Sequence, residues 1–102
     1  MTPLTFHILL SLKDESRDAE GIVGRMRELT GANEPPLASF YRSLKKALDD
    51  GTIVLAEPTE ESRRGRPPQR YRITRAGRAA LSAEARRIER LAQIALSGRE
   101  PR

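Results

Sequence analysis

The feature that most constrains the fold of this chain is a change of hydrophobic period at Gly51. Up to Asp50 the apolar residues recur every three or four positions. From Thr52 they form two short β-type runs, and after Thr74 the helical spacing returns. Spacings of three and four mark amphipathic helix, whereas β-branched or alternating runs mark strands. A chain with this order must pack a group of helices, then a hairpin, then one more helix.

The helical part divides into three. Leu4, Ile8 and Leu12 lie on one face of a helix over Pro3 to Lys13, and Phe6, Leu9 and Leu10 widen that face enough to predict burial on two sides. Thr2 suits the N-cap and Pro3 the first helical position. Asp14 to Arg17 is a polar break, after which Ser16 or Asp18 can cap a second helix carrying Ile22, Val23, Met26 and Leu29. Gly21 and Gly24 either weaken this helix or admit a close neighbour. Gly31 ends it, and Pro35-Pro36 forbids a quick continuation. In the third helix Phe40, Tyr41, Leu44, Ala47 and Leu48 form the apolar stripe, with Arg42, Lys45 and Lys46 on the other faces. Ser39, or a residue just before it, is its expected N-cap, and Asp49-Asp50-Gly51 its end.

Thr52 to Ala56 reads as a strand, and Arg70 to Ile73 as a second one with Tyr71 and Ile73 inward. The polar segment between them, Glu57 to Gln69, is rich in charge, Gly and Pro. Thr74 can cap a long final helix with Leu81, Ala85, Ile88, Leu91 or Ala92, and Ala95 in a stripe. About three heptads is short for a self-sufficient coiled coil. The stripe has no evident partner within the chain, so a second subunit is expected to cover it. Residues 99–102 are expected to form a disordered tail.

At 102 residues the chain is one domain, and a domain of this size buries roughly 65% of its unfolded surface. With 4% aromatics and no Trp, its core rests on Leu, Ile, Val and Ala. The net charge is +5 and the pI about 10.4. Seven arginines, at positions 63, 64, 66, 70, 72, 75 and 78, stand together with no acidic residue among them. Such a one-sign cluster is a footprint for a polyanion. The absence of cysteine rules out disulfides, thiolate metal sites and Cys nucleophiles. No converging base and nucleophile, no paired carboxylates and no phosphate-cradling glycine loop are present, so no enzyme activity and no cofactor is expected. His7, the single histidine, reads as a core or interface residue rather than a metal ligand. Phe6 to Leu12 is too short, and wrongly flanked, for a signal peptide or membrane span. A cytoplasmic, bacterial, nucleoid-associated protein is the expectation.

Three helices, a strand, a loop, a strand and a long helix make a mainly α winged helix-turn-helix. Residues 1–73 would form the DNA-binding unit and residues 74–98 a dimerisation helix of the same compact body. Tyr41-Arg42-Ser43-Leu44-Lys45-Lys46-Ala47-Leu48-Asp49-Asp50-Gly51-Thr52-Ile53 resembles the recognition-helix signature of the PadR family of transcriptional regulators, Tyr-x-x-Leu-Lys-x-Leu-x-x-x-Gly-Leu-Ile. Tyr71-Arg72-Ile73-Thr74-Arg75-Ala76-Gly77 is similar to the family's Tyr-x-Leu-Thr-x-x-Gly run, and the single terminal helix to its short subgroup. The chain departs from the pattern at Asp18-Ala19-Glu20, where many members have His-Gly-Tyr. It departs again at Pro36 to Tyr41, where they have Gly-Pro-Gly-Thr-Leu-Tyr, and at Ala47, where Leu is usual.

The resemblance implies a dimeric regulator, a repressor in its usual form, on a pseudo-palindromic double-stranded operator. It further implies release by a small aromatic or cationic effector bound between subunits, although no Trp is available for the dimer pore that some short members use. Ser39 and Tyr41 would lie against phosphate, with Tyr41 equally suited to the core. Arg42 and Lys45 would reach base edges or backbone, Lys46 a phosphate, and Arg70 the DNA beside the loop. Arg63, Arg64 and Arg66 stand in an Arg-Gly-Arg-Pro context like that of the AT-hook, suited to a narrow minor groove. The homodimer would be formed by Leu4, Phe6, Ile8, Leu81, Ala85, Ile88, Leu91 and Ala95. Two other functions fit the same fold: a winged-helix module that binds another protein, and a nonspecific nucleoid DNA binder.

Overall fold

A computed structural model describes residues 1–57 and 69–98. Residues 58–68, including Arg63, Arg64 and Arg66 at the expected wing tip, lie outside the described residues, as do residues 99–102. The elements run α1 (Pro3–Ser11), β1 (Arg17–Asp18), α2 (Ala19–Thr30), α3 (Leu37–Asp50), β2 (Ile53–Leu55), β3 (Arg70–Ile73) and α4 (Arg75–Leu96). This is the winged helix-turn-helix order expected from the change of period, with one additional strand.

Capping explains most boundaries. Thr2 Oγ1 accepts from the Thr5 N–H at 3.1 Å, with Pro3 in the first turn. Of the two candidate caps for α2, Asp18 is the one used, its carboxylate accepting from the Gly21 N–H at 2.7 Å. A methyl group on Gly21 would stand 3.0 Å from that carboxylate oxygen, whereas Gly24 faces open space. Close approach therefore accounts for Gly21 only. Gly31 and Gly51 close α2 and α3 in the left-handed region, at φ 68° and 78°, where a side chain would be strained.

The expected cap at Ser39 is corrected. The cap position is three residues earlier, at Pro36, so that helix α3 begins at Leu37, and no side chain caps it. Pro36 sets the backbone by its own ring geometry, and its carbonyl accepts the first helical bond, from the Phe40 N–H at 3.0 Å.

The two-stranded hairpin also needs correction, because the sheet has three antiparallel strands in the order β1-β3-β2. Arg17 pairs with Tyr71 and Asp18 with Arg70 on one side of β3; Ile53 pairs with Ile73 and Leu55 with Tyr71 on the other. A two-residue strand has no alternation to detect, so the polar break concealed it.

The core gathers Ile8, Leu9 and Leu12 of α1 and its end, Ile22 and Met26 of α2, and Phe40, Leu44 and Ala47 of α3. Ile53, Tyr71 and Ile73 from the sheet and Leu81 of α4 complete it. Helix α1 packs on α2, α3 and α4, as its broad apolar face predicted. Thr74 ties the sheet to α4: its N–H donates to the Thr52 carbonyl, its hydroxyl donates to the Gly51 carbonyl, and the same oxygen caps the Gly77 N–H. At Gly77 an added Cβ would meet the Thr52 carbonyl oxygen at 2.1 Å. The Thr-x-x-Gly run lets the first turn of α4 lie at backbone contact with Thr52, the residue before β2.

Candidate nucleic-acid interface and subunit surface

Helix α3 divides its faces sharply. Phe40, Leu44 and Ala47 turn inward, while Ala38, Tyr41, Arg42, Lys45 and Lys46 are exposed and Ser39 is half-buried. Tyr41 is 49% exposed and outside the buried core, with its ring edge-on to Phe40 at 5.3 Å. Lys45 and Lys46 reach forward one turn to Asp49 and Asp50, each at 3.2 Å. Pairs this exposed are worth only about 0.3–0.5 kcal/mol, so the ammonium groups can exchange a carboxylate for a phosphate. Arg42 makes no hydrogen bond or ion pair among the described residues.

In β3 the alternation places Tyr71 and Ile73 inside and Arg70 and Arg72 outside. Arg70 is not idle: one of its terminal nitrogens donates to the Ser16 carbonyl at 2.6 Å, which pins the turn before β1 to the sheet. The part in binding DNA expected of Arg70 would be shared with this structural one. Burial, and secondarily the neighbouring Tyr41, pushes the Tyr71 phenol above its ordinary pKa. Asp18, Ala19, Glu20, Gln69 and the two tyrosines line the shallow cleft between them.

The expected subunit surface separates into two groups. Ile8 and Leu81 are corrected: both are buried in the core of their own subunit and offer a partner nothing. Leu4 and Phe6 are half-buried against that core. Ala85, Ile88, Leu91 and Ala95 are exposed, and every residue of α4 from Ala85 onward is exposed. Ile88 and Leu91 are 40% and 49% exposed, and Ile94, which the three-and-four spacing passed over, is 64% exposed. Where α4 leaves the core, the Glu84 carboxylate is buried and accepts a hydrogen bond from Arg87. That bond, chiefly, holds Glu84 below the usual carboxylate range and raises Arg87 in return.

His7 is half-buried and edge-on to Phe6 at 6.2 Å. It borders an open hollow of about 150 Å³ between α1, α2 and the segment after α2. Among the described residues, no group of three metal-ligating side chains is found, and no helix is long and apolar enough to cross a membrane.

In sequence, no family model and no curated protein matches the chain. In structure it is similar to several solved regulators. A candidate transcriptional regulator of Thermoplasma acidophilum aligns with a TM-score of 0.69 at 24% identity, over 89% of this chain and 83% of that one. BpsR of Bordetella bronchiseptica, whose DNA binding is regulated by 6-hydroxynicotinic acid, aligns at 0.70 and 17%, over 99% and 65%. PadR of Bacillus subtilis, solved in complex with operator DNA, aligns at 0.66 and 21%, over 82% of this chain and 47% of that one. At these identities the likeness is one of fold. The fold is that of the winged helix-turn-helix regulators, PadR among them, in agreement with the family resemblance of the recognition-helix and Tyr-x-Ile-Thr-x-x-Gly segments.

Proposed function

We propose that this protein is a transcriptional regulator that binds a pseudo-palindromic DNA operator as a two-fold dimer. The observation that carries the reading is the exposed face of α3. Within a winged helix-turn-helix, that face presents Tyr41, Arg42, Lys45 and Lys46 while the opposite face is committed to the core. An α-helix fits the major groove, where an Arg can read guanine bidentately and lysines meet phosphate. Arg63, Arg64 and Arg66 extend the same charge along the chain and are assigned to the minor groove beside it. PadR of Bacillus subtilis, a protein of similar fold, is solved in complex with operator DNA, which supports DNA as the partner.

The dimer rests on α4. Ile88, Leu91 and Ala95, with Ala85 and Ile94, form an apolar surface that the subunit leaves uncovered. Covering a half-exposed Ile or Leu gains roughly 1 kcal/mol. Three such side chains from each of two copies give about 6 kcal/mol, against an association cost of about 4–15 kcal/mol. The stripe therefore does not suffice by itself, and Leu4 and Phe6 on the adjoining α1 are assigned to the same interface. Repression, with release by a small aromatic or cationic effector, is the finer part of the proposal. The regulation of BpsR by 6-hydroxynicotinic acid lends it support by analogy of fold.

Selection of bound sequences from a pool of randomised duplexes tests the reading. Enrichment of an inverted repeat, with half-site centres about one or two helical turns apart and affinity falling steeply with salt, is expected. Equal affinity for all duplexes would indicate nonspecific nucleoid binding instead. No enrichment at low salt would remove DNA as the partner.

A further inference from the structure

Two carboxylates and two phenols meet where the start of α2 lies beside α3 and β3. Asp18, Ala19, Glu20, Tyr41, Gln69 and Tyr71 line a cleft of about 360 Å³ there. Small-molecule sites span roughly 300–1,000 Å³, so the cleft has room for a ligand at the lower end of that range. The fold itself gathers these residues. Asp18 ends β1 and caps α2, Tyr41 stands on α3, and Tyr71 is the β3 residue paired with Arg17 on one side and Leu55 on the other.

Tyr71 points to a ligand. It is only 7% exposed, yet its hydroxyl has no hydrogen-bond partner among the described residues. Among those residues no side-chain oxygen is sealed from solvent without a partner, so this hydroxyl opens into the cleft that Tyr71 lines. Buried polar groups are ordinarily hydrogen-bonded, and here the partner has to come from the cleft. The charge around it defines the partner's chemistry. Asp18 uses one carboxylate oxygen on the Gly21 N–H, and Glu20 is exposed, with no hydrogen bond or ion pair among the described residues. The arginines nearest along the sheet are held elsewhere, Arg17 by Glu15 and the Ser11 carbonyl, Arg70 by Ser16. An anion, DNA phosphate included, would be repelled, and a neutral molecule would leave the carboxylates unanswered. A cation gains from both carboxylates and from the face of a tyrosine ring.

We propose that this cleft binds a small organic ammonium ion, whose N–H groups donate to the Glu20 carboxylate and the Tyr71 hydroxyl oxygen while its hydrocarbon part lies against Tyr41. The site belongs to a single subunit and needs no residue from a second one. Tyr41 is also part of the exposed face of α3, so an occupied cleft competes with DNA for that residue. The competition rests on the DNA-binding reading above; the site itself does not.

The chain has two tyrosines and no Trp, and both tyrosines line the cleft, so tyrosine emission of the intact protein reads the site directly. It is titrated with cyclohexylammonium, with cyclohexanol and cyclohexanecarboxylate as neutral and anionic controls at matched ionic strength. A saturable change with the cation alone is expected. Glu20→Gln should weaken that binding about tenfold, and Tyr71→Phe about threefold with Tyr41 left to report. Glu20 is exposed, so E20Q is expected to fold as wild type, and thermal melting checks both variants. No response, an equal response to all three compounds, or a cation affinity undiminished in E20Q overturns the site. For a duplex that the protein selects, the cation should lower affinity more than the same concentration of potassium chloride, and this excess should vanish in E20Q. Equal effects of the two salts on wild type overturn the competition and leave the site standing. Failure to select any duplex overturns the regulator reading, while the emission titration still decides the site.

Discussion

Helices α3 and α4 are both amphipathic, yet they expose opposite chemistry. Along α3 the inward residues Phe40, Leu44 and Ala47 run through the helix, and the middle of its exposed face carries Tyr41, Arg42, Lys45 and Lys46. Along α4 the inward residues are Gly77, Leu81 and Glu84, and none follows. From Ala85 the helix continues to Leu96 with Ile88, Leu91 and Ile94 open to solvent. A charged exposed face is stable in water and waits for a polyanion; an exposed apolar face is costly in water and calls for another apolar face. On the proposed reading one helix addresses DNA and the other a second subunit, and the fold ties α4 to the end of α3 through Thr74 and Gly77.

The sharpest way to break this contrast is to give α4 the chemistry of α3. Leu91→Glu would bury an unpaired charge in the subunit interface, at a cost of about 3 kcal/mol or more. That is a hundredfold or greater rise in the dimer dissociation constant, read by sedimentation velocity. The variant should stay folded as a monomer and lose most operator affinity. A dimer that persists at micromolar concentration would show that the distal half of α4 is not the interface. Next in size is Gly77→Ala, which forces a Cβ against the Thr52 carbonyl oxygen. Overpacking of this kind costs about 1–3 kcal/mol, and the contact with rigid backbone places it at the upper end. Denaturant unfolding of the G77A chain measures it, and an unchanged midpoint would mean that α4 can lift off β2 freely.

On α3, Arg42→Ala should cost about 1–3 kcal/mol per half-site if Arg42 reads a guanine bidentately. It should also relax preference at that base pair while leaving stability intact, because the side chain is exposed and without a partner among the described residues. Lys45→Ala serves as the contrast. It should weaken all duplexes alike and flatten the salt dependence by about one counterion per subunit. If both variants change only the salt slope, α3 grips the backbone and reads nothing.

Much of this architecture is legible in the sequence because periodicity and capping are local. Thr2, Asp18 and Thr74 each accept from a backbone N–H three residues on, as their positions before apolar runs imply. Tyr71 and Ile73 are buried by simple alternation. The rest of the architecture depends on contacts distant in sequence. The strand at Arg17–Asp18 exists only because β3 lies beside it, some 54 positions away in the chain for the Arg70–Ser16 bond. Leu81 continues the α4 stripe in sequence but meets the core in space, so the stripe has an intramolecular part and an uncovered part that spacing alone cannot divide.

The boundary between those two parts of α4 offers the smallest and most local test. Glu84 is the last buried residue of the helix, and Arg87, one turn on, is the first strong partner outside the core. Arg87 keeps the Glu84 pKa low, so the folded protein holds this carboxylate ionised where the unfolded chain would begin to protonate it. The resulting stability is fully present above the ordinary carboxylate pKa. It declines as pH falls below that value and is gone once pH passes the lowered folded pKa. Glu84→Gln keeps the shape and removes the titration. Its melting temperature should fall slightly below wild type at neutral pH and converge with it in acid, by a margin small enough to need matched scans. A constant gap between the two proteins from neutral pH down to pH about 3 would mean that the pair contributes no charge coupling. In that case the proximal half of α4 would be anchored by Thr74, Gly77, Leu81 and the bond from Arg78 to the Lys13 carbonyl, without help from the charge of Glu84.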